Sequence, residues 1–168
     1  MMTFSLTDDE RAWVDRVRAF ATSRVAPRAA ELDQSAVFPG DLVAESAALG
    51  LTGVTIPAAA GGLGRRFVAY AAAIETLSQA SAALAVILTV NNSLVADAIH
   101  EFGTPAQRER WLGRLATGAA IGAFALSEAD AGSDAANQKT SARLDDRGYV
   151  LNGRKIWVAN AEAAAVAI

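Results

Sequence analysis

Through the first two thirds of the chain, apolar residues recur at three- and four-residue spacing, and glycines interrupt the recurrence. Thr7 with Glu10 forms a capping-box pattern, and Trp13, Val14, Val17, Phe20 and Ala21 then mark one face of a helix that Pro27 should kink or end. A second helix is expected over about 41–49, with Gly50 in the C-terminal cap position. A third is expected over about 67–79, and the apolar segment 80–102 forms a fourth, closed by Gly103. Thr104-Pro105-Ala106-Gln107 starts a fifth helix, which carries Trp111, Leu112 and Leu115 inward and stops at Gly118.

Beyond Gly118 the pattern becomes extended. Residues 121–126 read as a compact strand, and runs at 140–144 and 149–151 flank the turn Asp145-Asp146-Arg147-Gly148. Asn152-Gly153 is a hairpin signal leading into a further strand over 154–158, so a β-meander is expected. These short strands offer no cover for both faces of a sheet. The fold class read from the pattern is α+β: an all-α N-terminal domain (1–119) followed by an incomplete antiparallel β domain (120–168). Such a chain is expected to be a portion of a longer protein.

Composition narrows the function classes. Of 168 residues, 52% are apolar and 20% charged, enough apolar material for a core. The net charge of −3 is scattered and no basic stripe occurs, so nucleic acid is not an expected partner. Cysteine is absent, which removes disulfides, thiolate metal sites and a cysteine nucleophile. The opening MMTFSLTDDE has no secretory pattern, and the expected location is cytoplasmic. Asn91, Asn92 and Asp97 interrupt the apolar run at 80–99, which reads as a buried helix, and no membrane span is expected.

Most candidate chemistry has a plainer reading. Gly61-Gly62-Leu63-Gly64, followed by Arg65-Arg66, lacks the Gly-Lys-Ser/Thr of a Walker loop and the preceding strand of a dinucleotide fingerprint; it reads as a turn between helices. His100 is the single histidine, so neither a triad nor a histidine-rich metal site is expected. Asp8-Asp9 and Asp145-Asp146 sit where carboxylates commonly start helices and turns. The stretch FALSEADAGSD, 124–134, remains: bulky side chains stop after Leu126, and small residues with the hydroxyls of Ser127 and Ser133 follow. Both a ligand-binding loop and a polar turn fit this local chemistry.

FALSEADAGSD followed by GYVLNGRKIWVANA, 148–161, resembles the two flavin-contacting signatures of the acyl-CoA dehydrogenase family. AAAGGLG at 58–64, NNSL at 91–94 and FGTPAQRERWLGRLATG at 102–118 occupy the family's order, so the resemblance covers nearly the whole chain. It implies FAD as cofactor, with Phe124, Ala125, Leu126, Ser127, Gly132 and Ser133 along the flavin and pyrophosphate. Trp157, Val158 and Ala159 resemble the segment packed against the isoalloxazine. Ser133 also resembles a residue beside bound acyl-CoA. Val86, Val90 and Leu94 share a face at four-residue spacing, and the resemblance places Val90 and Leu94 in the acyl pocket or, on the bare pattern, in the core.

Two departures stand out: Ala159 replaces a hydroxyl residue found in many members, and Ala129-Asp130 replaces a common Pro-Gly. The implied reaction is α,β-dehydrogenation of an acyl-CoA thioester, with proton abstraction by a glutamate and hydride transfer to FAD. That glutamate belongs to the family's C-terminal part, so no residue of this chain is assigned as catalytic, Glu128 included, and the chain alone is expected to be inactive. The implied partners are electron-transfer flavoprotein or a similar acceptor, and further copies in a homotetramer or a heteromeric partner chain. The competing readings are an acyl-CoA oxidase or nitroalkane-oxidase-like flavoenzyme of the same fold, and a non-catalytic helical interaction module.

Overall fold

A computed structural model describes residues 4–168. The helices are α1 (Asp8–Phe20), α2 (Ala29–Ser35), α3 (Gly40–Ala48), α4 (Phe67–Ser78), α5 (Ala82–Thr89), α6 (Asp97–Phe102) and α7 (Pro105–Ala116). Four strands follow: β1 (Ile121–Ala123), β2 (Ser141–Asp145), β3 (Gly148–Asn152) and β4 (Ala164–Ala167). Both expected capping boxes form. Thr7 Oγ1 accepts from the Glu10 N–H at 3.2 Å while Glu10 Oε2 accepts from the Thr7 N–H at 2.9 Å. Thr104 and Gln107 repeat the exchange at 3.3 and 2.8 Å, so each helix start has its exposed donors satisfied.

Pro27 does not end the first helix. A π-helical turn (Ala21–Val25) and a 3-10 turn (Ala26–Arg28) carry the chain past it into α2. Changes of winding are one way a helix absorbs the missing proline N–H. Ala36, left-handed at φ 54°, then closes α2.

Two apolar clusters make the core, and the long apolar helix belongs to both. Leu84 and Leu88 pack with Trp13, Val17, Leu42 and Leu77, whereas Val95 and Ile99 pack with Ile56, Leu112 and Leu115. Between these halves the winding is π-helical over Val90–Ala96, which joins α5 to α6 in one 21-residue helix. Its length and hydropathy would suit a membrane span, yet half of it is buried against the protein and Asn91 and Asn92 are fully enclosed. Trp111, expected inward, is half-buried, with the Arg110 and Arg114 guanidiniums 5.0 and 5.2 Å from its ring.

An ion pair ties the two ends of the first cluster together. Arg66, at the start of α4, donates to both carboxylate oxygens of Glu10, its Nε reaching Oε1 at 2.8 Å. This contact, above all, holds the Glu10 carboxyl at about 2, well below the ordinary carboxylate range, despite its burial. Nearby, Arg65 reaches Asp9 at 2.7 Å and lies 5.0 Å from the Trp13 ring.

The strands correct part of the expected meander. β2 and β3 form the expected antiparallel hairpin, Asp145 opposite Gly148 and Ser141 opposite Asn152. β1 instead pairs in parallel with β4, a strand the sequence reading did not assign. A parallel pair needs a long crossover, and the hairpin lies within it. Asn152-Gly153 makes no turn of the expected kind, because neither residue has positive φ, and 154–158 is not a strand. Gly153 serves a close approach: a Cβ there would lie 2.1 Å from Thr140 Oγ1.

Gly122 joins the strands to the helices. Its N–H donates to Asn91 Oδ1 at 2.9 Å, and its carbonyl accepts from Asn160 Nδ2 at 3.0 Å. Asn91 Nδ2 donates to Thr52 O at 2.9 Å and Leu115 O at 3.2 Å; Asn160 Nδ2 also reaches Ile87 O at 3.0 Å. A Cβ on Gly122 would sit 2.5 Å from Val95 Cγ1.

Asn91→Ala strands buried groups on three elements, and the expected loss is about 2–4 kcal/mol of unfolding free energy. Urea unfolding of the two proteins measures it, and a loss below about 1 kcal/mol contradicts this account. Glu10→Gln keeps a residue type suited to the capping box but removes the carboxylate facing Arg66. Because the folded carboxyl lies below its unfolded value of 4.5, the stabilisation is complete above about pH 4.5 and is lost as pH falls toward 2. Unfolding midpoints measured from pH 7 down to 2 should therefore differ most above about pH 4.5 and converge on acidification; a constant gap would refute the pairing.

Candidate functional site

The stretch 124–134 resolves into a strand end and a tight turn. After β1, the Ala125 N–H donates to Ile168 O at 2.7 Å and the Ile168 N–H to Ala123 O at 3.0 Å, prolonging the parallel pairing. Glu128 and Ala131 then exchange backbone hydrogen bonds of 2.7 and 3.2 Å around Ala129-Asp130. Ala131 is buried beneath this turn, and Gly132 and Ser133 are exposed beyond it. The polar-turn chemistry is thus present, and it supports the exposed residues.

A second segment lies beside the first. The Ile156 N–H donates to Ser127 O at 2.8 Å, bringing residues 154–160 alongside Leu126 and Ser127. Phe124 and Ala159 pack against the same apolar cluster. Trp157 is 91% exposed and left-handed at φ 55°, a conformation that costs about 1–3 kcal/mol for a bulky residue. Val158 and Ala159 are half-buried and line an apolar groove of about 960 Å³ with Leu32, Phe38, Val86 and Ile87.

The residues expected on the acyl face part company. Val86 and Leu94 are exposed at 50% and 40%, but Val90 is buried in the core. Val90 stands where the α winding of α5 passes into the π-helical turn. The glycine segment behaves as a turn, with Gly61 and Gly64 at φ 85° and 58°. Its N–H groups are spent: Leu63 donates to Gly53 O, Gly64 to Ile56 O and Arg65 to Val54 O, leaving no phosphate cradle there.

A cluster of charge braces the loop. Lys155 Nζ donates to Leu126 O at 2.9 Å, Glu128 Oε1 at 2.8 Å and Gln138 Oε1 at 3.0 Å. The Glu128 carboxylate also accepts the N–H groups of Lys139 at 2.7 Å and Thr140 at 3.1 Å. Lys155 beside it, followed by these other donors, brings the Glu128 carboxyl down to about 2. A carboxylate so held is a structural acceptor and a poor general base. The sequence reading missed Lys155 and Asn160. The one available signal was polarity within KIWVAN, where a lysine and an asparagine bracket an otherwise apolar run.

The arrangement suits a flat, acceptor-bearing ligand. Among the described residues, the Leu126 and Ser127 N–H groups and the Ser127 and Ser133 hydroxyls have no hydrogen-bond partner. These donors lie beside an exposed indole and short apolar residues, the composition that receives a conjugated ring carrying carbonyl and nitrogen acceptors. Ala159 contributes no side-chain donor.

Comparison with known proteins identifies the family. The family model for the acyl-CoA dehydrogenase N-terminal domain matches residues 7–119, and that for the middle domain matches 123–168. The human mitochondrial short-chain specific acyl-CoA dehydrogenase is 38% identical over 163 residues, 97% of this chain and 40% of that protein. A chain in the solved structure of the electron transferring flavoprotein of Acidaminococcus fermentans superposes with a TM-score of 0.91 at 36% identity, over 97% of this chain and 43% of that one. Glutaryl-CoA dehydrogenase from Mycobacterium smegmatis in complex with FADH2 gives 0.91 at 36% identity, over 96% and 42%. The chain therefore spans about two fifths of the length of these relatives. Two family models in succession, matched by sequence and by fold, make this chain a member of the acyl-CoA dehydrogenase family.

Proposed function

We propose that this chain forms one wall of an FAD site in an enzyme that dehydrogenates an acyl-CoA thioester between its α and β carbons. The observation that carries the reading is the pair of unpartnered N–H groups on Leu126 and Ser127, joined through the Ile156 N–H on Ser127 O to the segment whose Val158 and Ala159 line an apolar groove. Bound FAD would supply the hydride acceptor. Leu126 and Ser127 would donate to the electron-rich edge of the ring, where fixed donors of this kind would stabilise developing negative charge. Trp157 and Val158 cover its apolar face and exclude water, while Ser133 offers a hydroxyl to a phosphate or to the acyl-CoA. The structure of the relative with FADH2 supports the cofactor, and the human relative's name supports the substrate class.

Glu128, committed to Lys155 and backbone donors, is not the proposed base for the α proton, which the family resemblance assigns to a glutamate of the C-terminal part. On this reading the 168 residues are expected to be inactive by themselves, and electron-transfer flavoprotein is the proposed acceptor, in line with the Acidaminococcus structure.

Visible absorbance and intact mass of the purified natural protein test the assignment together. The expected result is a flavin band that bleaches anaerobically with butyryl-CoA when the family's remaining part is present. A natural protein that stays colourless after incubation with FAD overturns it, and rapid reoxidation by oxygen alone moves it to the oxidases.

A further inference from the structure

Lys155 spends its three N–H donors on Leu126 O, Glu128 and Gln138, so it presents no free charge to a ligand. Its ammonium is nonetheless largely enclosed, with the side chain 21% exposed and that of Glu128 9%. An enclosed ion pair is a poor source of net stability, which leaves its orientation effect as the more informative property.

That effect is specific. In a planar trans peptide the carbonyl of one residue and the N–H of the next point in opposite directions. Holding Leu126 O on Lys155 therefore aims the Ser127 N–H away from the lysine. The peptide that follows is fixed at both ends, Ser127 O on the Ile156 N–H and the Glu128 N–H on Ala131 O, and the chain before it is tied one peptide further back, the Ala125 N–H on Ile168 O. Among the described residues, only Lys155 is hydrogen-bonded to the peptide that carries the Ser127 donor. Glu128 in turn holds Lys155, and it is anchored by the Lys139 and Thr140 N–H groups across the loop.

We infer that Lys155, held by Glu128, is a positioning residue that aims the Ser127 N–H at the pyrimidine edge of the flavin and thereby raises the potential of the bound cofactor. The inference rests on the FAD reading above. It separates from a simple field effect, because removing a cation and removing its counter-charge act oppositely through space but alike on the peptide they orient together.

The test uses the natural protein loaded with FAD and the variants Lys155→Met, Glu128→Gln and Lys155→Arg. FAD affinity is read from flavin fluorescence, and the potential by equilibration with a reference dye. Lys155→Met should bind FAD about tenfold more weakly and favour its oxidised form about tenfold, a shift of about 30 mV to more negative potential for a two-electron couple. Glu128→Gln, which keeps the side chain's shape, should move the potential in the same direction by less, and Lys155→Arg should restore most of both. If Lys155→Met does not fold, Glu128→Gln carries the test. A positive shift in Glu128→Gln, or unchanged potentials in the folded variants, overturns the inference while leaving the FAD site standing. A natural protein that takes up no FAD removes the site itself.

Discussion

Everything at the site depends on how β1 is seated against the helices, and that seating is decided at Gly122. Both of its backbone polar groups face side chains: Asn91 from the long helix satisfies the N–H and Asn160 from the far end of the chain satisfies the carbonyl. Buried backbone groups without partners cost about 1–3 kcal/mol each, so the two asparagines make this docking the favourable one. The absence of a side chain on Gly122 is what lets the strand approach Val95. From that junction the chain runs directly into Phe124–Ser127, and Asn160 closes the segment that brings in Trp157 and Ala159. The site's two strips are set from one buried glycine.

The helical part was legible because its signals are local. Capping boxes, three- and four-residue spacing and terminal glycines act within one or two turns, and both capping boxes formed as read. The strands were less legible. β4 is an alanine-rich run with little pattern of its own, and its pairing with β1 is a long-range choice. Asn152-Gly153 misled because glycine can answer either a turn or a close neighbour, and here Thr140 is the neighbour. The winding change at Val90–Ala96 is invisible to a fixed helical period.

At the site, the loop's contents could be read and its mechanics could not. Small residues and hydroxyls at 127–134 signalled room for a ligand, and their register with KIWVANA signalled which family. The pairing of Glu128 with Lys155, 27 positions away, has no local signature. A single acidic residue in a polar turn looks the same whether it titrates, binds or braces.

Trp157 shows what such bracing accomplishes. An indole in water on a left-handed backbone is a conformation that an unrestrained chain would rarely visit. Hydrogen bonds on either side, from Ile156 to Ser127 and from Asn160 to Gly122 and Ile87, hold it there before anything binds. The cost of the left-handed backbone is therefore borne during folding. The segment is a template whose shape precedes its guest.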